Sequence, residues 1–298
     1  MPAIDLTQRL TVDWVRDCFP GLDELCTVTH VDEEGIAAWR CVVPEGRRHE
    51  VAWRVAVGIA ARRLALVPDL FFDWFGSATR CIDGVVPEAR LALMKAYGLL
   101  VDVGTPTEPA NDIRFFGLLA ESVLEELLWT VDHGLGRPVV VEGHDWSALD
   151  HGGDKLAIYV GDTGPAFRLW ESKALSSTVR TATAVVAEAA GQLEVNAAAY
   201  IGRFAVTVSR TIDDQTLAAF VAQMPELWAN NHACAGVGIG VTTHDVPETQ
   251  TCFAQLDAHF GLPNSRKSGH LTLLGPLDSF KKSLCEVLWK GVGLWTAP

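Results

Sequence analysis

The chain has 298 residues with 37 acidic against 24 basic side chains, a formal charge of −13. That balance excludes a protein that coats nucleic acid through its own net charge, because phosphate contacts supply most non-specific affinity. With 49% hydrophobic and 20% charged residues it is globular rather than disordered, and long enough for one large domain or two modest ones.

The first element expected is a helix with Thr11 as N-cap, running through Trp14, Val15, Cys18 and Phe19 to the stop at Pro20-Gly21. Alternation and β-branching predict strands over 36–43 and 50–59, joined through Arg47-Arg48. Pro68-Asp69 then opens a helix through Leu70, Phe71, Trp74 and Phe75, and a second helix spans about 87–99. The Pro/Thr-rich run 103–109 reads as a linker, so residues 1–104 are expected to form a small α/β module, a possible partner-binding unit, and 111–298 a second domain. Asn111-Asp112 is placed to cap a helix over 115–131, whose apolar stripe is Phe116, Leu119, Ala120, Val123, Leu124, Leu127 and Leu128, with Glu121 at its edge beside Glu125.

No apolar run is long enough to span a bilayer and the first residues lack a signal-peptide pattern, which predicts a cytoplasmic protein with no membrane partner. The seven cysteines stand at 18, 26, 41, 81, 234, 252 and 285 with no Cys-x-x-Cys pair. A disulfide framework, a zinc knuckle and an iron–sulfur cluster are therefore not expected. Charge is uneven: six arginines (40, 47, 48, 54, 62 and 63) face Glu45 and Glu50 between 35 and 66, a local +4. Arg266, Lys267, Lys281, Lys282 and Lys290 exceed Asp278 and Glu286 by +3 between 262 and 298. Arg47, Arg48, Arg266 and Lys267 are the candidate phosphate contacts, weighed against an ordinary solvated face.

The most informative stretch is 154–173. Leu156, Ile158 and Val160 alternate with Lys155, Ala157 and Tyr159, the turn formers Gly161, Asp162, Gly164 and Pro165 follow, and a second strand runs through Phe167 to Lys173. This is a hairpin pattern. On its second strand Phe167, Leu169, Glu171 and Lys173 share one face, and Arg168, Trp170 and Ser172 the other. Asp154 at the start of one strand, with Glu171 and Lys173 near the end of the other, brings two carboxylates and an ammonium towards one point. Two oxygen donors suit a hard cation such as Mg²⁺, which lowers the pKa of bound water, while the lysine orients or deprotonates the attacking water.

Later residues predict a long helix capped by Ser176 or Ser177 and carrying Gln192 and Tyr200, a helix over 216–229, and a strand over 235–242 that alternates glycine with β-branched residues. That glycine spacing has neither the Rossmann nor the P-loop context and fits a strand with a helix packed on its glycine face. A strand at 271–274 and an amphipathic helix over 277–294 end the chain. No Gly-x-Ser-x-Gly elbow exists. His144-Asp145 raises the alternative of a His/Asp metal phosphohydrolase, although the doublet follows a β-like valine run.

Asp154 followed by Glu171-Ser172-Lys173 resembles the Asp…Glu-x-Lys signature of the PD-(D/E)xK nuclease superfamily, with Gly153 where that pattern often has Pro. Gly117-Leu118-Leu119-Ala120-Glu121 is similar to the Gly-x-x-x-Glu often found on the helix before the Asp strand. Gly-Gly-Asp-Lys at 152–155 and Leu-Trp-Glu-Ser-Lys at 169–173, followed by an alanine-rich helix, further resemble the nuclease-like subunit of bacterial anti-phage defence systems of the Hachiman kind.

The resemblance implies a mixed α/β restriction-endonuclease-like core with helices flanking a mixed sheet, and a DNA nuclease controlled by a helicase or other ATPase partner. It implies Mg²⁺, with Mn²⁺ as a substitute, held by Asp154, Glu171 and the Ser172 carbonyl. Glu121 would be an additional ligand, Lys173 the residue that orients water, and Gln192 and Tyr200 auxiliary. The alternative is a catalytically silent nuclease-fold subunit that docks a partner.

Overall fold

The computed structural model describes residues 15, 17–80, 88–143, 154–162, 164–176, 179–209, 212–244 and 251–294. A seven-stranded sheet runs through it in the order β1-β2-β7-β6-β5-β4-β3. Its strands are β1 (Thr27–Glu33), β2 (Ile36–Val42), β3 (Pro138–Gly143), β4 (Lys155–Gly161), β5 (Gly164–Leu175), β6 (Ala235–Thr243) and β7 (Lys267–Leu273). Helices flank it: α1 (Arg48–Arg63), α2 (Pro68–Arg80), α3 (Glu88–Ala96), α4 (Asp112–Thr130), α5 (Ala182–Val208), α6 (Gln215–Ala229) and α7 (Leu277–Gly291). The fold is mixed α/β, with β3, β4 and β5 antiparallel and β5, β6, β7 and β2 parallel.

The 154–173 hairpin forms as its alternation predicts, with Lys155 opposite Trp170 and Gly161 opposite Gly164. Gly164 turns at φ +101°, a conformation that glycine adopts without steric cost. Asn111 caps α4, its side chain accepting the Arg114 amide. The long helix starts at Ala182, with the Thr181 hydroxyl accepting the Ala184 amide at 3.2 Å, later than the Ser176 or Ser177 start expected. Val15, Asp17 and Cys18 are helical, whereas Thr11 and Trp14 lie outside the described residues.

Two expectations change. Residues 50–59 are not a strand but the middle of α1, where Val51, Ala52, Arg54, Val55, Ala56, Val57, Gly58, Ile59, Ala60 and Ala61 are all buried. A helix covered on nearly all sides loses the polar stripe that would reveal its period. The amino-terminal residues also do not close a core of their own. β2 pairs with β7 from the other end of the chain, and α1 and α2 share one apolar core with α4 and α7.

The two faces of the sheet differ. Leu156, Ile158, Phe167, Leu169, Val237, Ile239 and Val241 pack under α5 against Val185, Val186, Ala189 and Leu193. On the other face, Ala157, Tyr159 and Trp170 pack with Leu124 and Leu128 of α4. The glycines of β6 explain the close approach there. A Cβ on Gly238 would strike the Trp170 ring, and one on Gly240 would stand 2.9 Å from Leu124 Cδ1, so the glycine face admits the tryptophan and the helix.

Candidate functional site

The predicted carboxylates meet where β4 begins and β5 nears its end. Asp154 donates its amide to the Trp170 carbonyl at 2.8 Å, which fixes its backbone across the hairpin. Its carboxylate turns towards Ser172: Oδ2 accepts the Ser172 amide and the Ser172 hydroxyl, each at 2.6 Å. Two donors on one oxygen fix the orientation of the carboxylate. Ser172 is buried and Asp154 half-buried.

Glu171 is buried at 1% exposure and paired with Lys173 two residues on. Both share the strand face of Phe167 and Leu169, under α5. Burial opposes the charge on Lys173, but Glu171, Asp154 and the more distant Glu188 of α5 outweigh it and raise its pKa. Lys173 is therefore a committed cation.

Glu121 reaches the site from α4, on the opposite face of the sheet. Burial pushes its carboxyl up to about 7, and the charge of Asp154 adds to the shift against the pull of Lys155, Arg62 and Arg63. The structure thus gathers Asp154, Glu171, Ser172, Lys173 and Glu121 at one end of the hairpin but divides them between two faces, with Asp154 between. Among the described residues, no three His, Cys, Asp or Glu side chains are gathered as a ready metal site.

Other expected contributors lie elsewhere. Tyr200 is a core residue under the sheet, about 18 Å along α5 from Glu188 by helical rise. Gln192 is half-buried one turn beyond Glu188, and its carbonyl accepts the Asn196 side chain at 2.9 Å. The expected phosphate contacts are mostly structural. Arg266 is buried and donates to the Ala235 and Asn231 carbonyls, and Lys267 is buried against Asp257. Arg47 donates to the Glu24 carbonyl at 2.8 Å. Arg48 borders an open cavity. His144 and Asp145 lie outside the described residues.

Sequence reasoning missed the polar scaffold behind Glu121. Arg54 of α1 bonds Glu126 of α4 at 2.6 Å, and Arg62 bonds Glu125 and, at 2.8 Å, Ser122. Lys155 closes this network on Glu125, also at 2.8 Å. Burial disfavours the Glu125 carboxylate, yet Arg62 and Lys155 overcome it and hold its pKa below the ordinary value. Lys155 follows Asp154 directly, so the network ties the start of β4 to the helix that carries Glu121. Arg54 inside an apolar run, and Glu125-Glu126 on an apolar stripe, were the available signals: charges at buried positions require partners.

A second missed cluster lies on the same face. His133 and His270 meet Nε2 to Nε2 at 2.7 Å, enclosed by Trp39, Tyr159 and Trp170. Burial holds His133 down at about 3, helped by Arg168 against Asp132, and holds His270 well below the usual imidazole value. Single histidines 137 residues apart give no sequence signal.

No known protein-family profile matches this chain, and no curated protein is similar to it. No described helix is long and apolar enough to cross a membrane.

Proposed function

We propose that the chain is a metal-dependent nuclease that hydrolyses DNA phosphodiester bonds in the cytoplasm. In this reading it is the nuclease subunit of a bacterial anti-phage defence system and works with a helicase or other ATPase. The observation that carries the proposal is the meeting of Asp154, Glu171, Ser172 and Lys173 at one end of the β4–β5 hairpin. They lie within a run of helix, three antiparallel strands, helix and parallel strand, formed by α4, β3, β4, β5, α5 and β6.

Two carboxylates and the Ser172 carbonyl have the donor chemistry of a Mg²⁺ site that also accepts Mn²⁺, with Asp154 and Glu171 as its holders. Such an ion lowers the pKa of a bound water and offsets charge on the reacting phosphate. Lys173, firmly protonated, serves as a cation and hydrogen-bond donor that orients water and phosphate, not as a base. Glu121, shifted to about 7, exchanges its proton near neutral pH, the range suited to general-base work. Ser172 fixes the Asp154 carboxylate through its amide and hydroxyl.

The test is cleavage of plasmid and linear DNA with Mg²⁺, by the chain alone and with a co-purifying ATPase, beside Glu171→Ala and Lys173→Ala. Cleavage that falls by more than about 100-fold in both folded variants is the expected outcome. The hydrogen bonds that already engage Asp154 and Glu171 favour a second reading, a silent nuclease-fold subunit that docks a partner. Wild type and variants that are equally inactive in every mixture select it.

A further inference from the structure

A cavity of 660 Å³ opens at the carboxyl ends of the four parallel strands, bordered by Val43 after β2, Leu273 of β7, His244 after β6 and Ser176 after β5. In open α/β sheets this edge is the usual place for a ligand, and the volume is that of a nucleotide-sized site. The cavity lies one step beyond the carboxylate cluster. Ser176 is three residues past Lys173, about 10 Å along an extended strand, and the wall residue Phe116 is five residues before Glu121, about 7.5 Å along α4.

Among the described residues the arginine on its wall is Arg48, the first residue of α1. Among the described residues the Arg48 Nε, itself shielded from solvent, has no hydrogen-bond partner, although the side chain as a whole is 29% exposed. Among those residues its guanidinium pairs with the exposed Glu45 carboxylate at a long 3.7 Å, a contact of little strength. Gly275, at φ +75°, makes room for it: a Cβ there would stand 2.5 Å from Arg48 Nε. A buried donor without an acceptor is costly, and a planar guanidinium fork is matched by phosphate oxygens. Two aspartates also border the cavity. Asp112 is neutralised by Lys281 at 2.6 Å, and Asp278 sits exposed on the rim. The buried Phe116 adds an apolar wall.

We propose that this cavity binds the phosphate of a nucleotide unit, with the phosphate on Arg48 and the base or sugar along Phe116. The assignment deepens the nuclease reading by giving the site a phosphorylated end to hold. The source is either a strand bearing a 5′-phosphate or a free mononucleotide.

The experiment uses the full chain carrying Glu171→Gln, without metal, so that binding is read apart from cleavage. Fluorescence anisotropy compares an oligothymidine with a 5′-phosphate against the same strand with a 5′-hydroxyl, with AMP as competitor. The phosphorylated strand is expected to bind about tenfold more tightly. Arg48→Gln abolishes that preference, and so does Ser176→Asp, which places a carboxylate at an exposed wall position; Arg47→Gln keeps it. Displacement by AMP assigns the site to mononucleotides, lack of displacement assigns it to strand ends, and both carry the proposal. Equal affinity for the two strands, or a preference that survives Arg48→Gln, overturns it. A wild-type chain that cleaves no DNA in any mixture, with the phosphate preference retained, removes the nuclease reading alone.

Discussion

The two faces of the sheet are built by different means. Under α5 the contacts are aliphatic and aromatic, with Ala189, Ala190, Leu193 and Ala197 of the helix laid on Leu156, Ile158, Phe167 and Leu169. On the α4 face the strands present Lys155, Arg168, Ser268 and His270; Glu125 of α4 pairs with Lys155, and behind it Arg62 of α1 pairs with Glu125 and Arg54 with Glu126. The first arrangement is non-directional and tolerates small shifts. The second has partners and angles, and so it fixes where one element stands against another. The polar face is the one that carries Glu121 and Ser172. Glu171 and Lys173 stand at the end of the apolar face, so the cluster straddles the two kinds of packing, with Asp154 between them.

The largest effect separating the faces is expected at Arg54. Arg54→Met removes the buried Arg54–Glu126 ion pair and should lower unfolding free energy in urea by about 3–5 kcal/mol. Arg54→Met combined with Glu126→Met should regain most of that loss. Leu193→Ala on the other face should also cost about 2–5 kcal/mol, with no single partner change able to restore it. A double variant no more stable than Arg54→Met alone would remove the distinction.

A smaller effect concerns His133 and His270. Unfolded imidazoles take up protons below about pH 6.5, whereas the buried pair stays neutral, His133 down to about 3. Their contribution is therefore complete above pH 6.5 and is lost as pH falls towards 3, by about 1.4 kcal/mol per pH unit for each ring. Stability from urea midpoints measured from pH 8 to 5.5 should fall below pH 6.5, by about 2.8 kcal/mol for the two rings over the last unit, and His133→Gln should flatten the slope. An unchanged slope in that variant would show that the pair is not its source.

The smallest effect lies at Glu121. Its carboxyl is raised from 4.5 to about 7, so its charge is a growing penalty as pH rises through that window. Glu121→Gln should stabilise the chain at pH 8 by on the order of 1–2 kcal/mol and leave it unchanged at pH 4. Equal effects at both values would assign the change to packing instead of charge.

Local features were legible in the sequence and long-range ones were not. The β4–β5 hairpin follows from strict alternation around turn formers, α4 from its apolar stripe and asparagine cap, and the close packing on β6 from glycine at every second position. Asp154, Glu171 and Lys173 were readable because a hairpin sets their relative position. α1 was misread because burial on nearly every side removes periodicity. The Arg54–Glu126 pair joins residues 72 apart, and nothing local specifies such a partner. The split of Glu121 and Glu171 between faces depends on which side α4 packs, a choice made by the whole core.

The bare glycine face of β6 also bears on the order of assembly. Each glycine loses more backbone freedom on folding than alanine would, about 0.5–1 kcal/mol per position, and supplies no side chain to nucleate pairing. The space beside Gly236, Gly238 and Gly240 is filled by Arg168, Trp170 and Leu124. The central strand is therefore expected to order after the hairpin and α4, and its amides to exchange with solvent together with those of that helix.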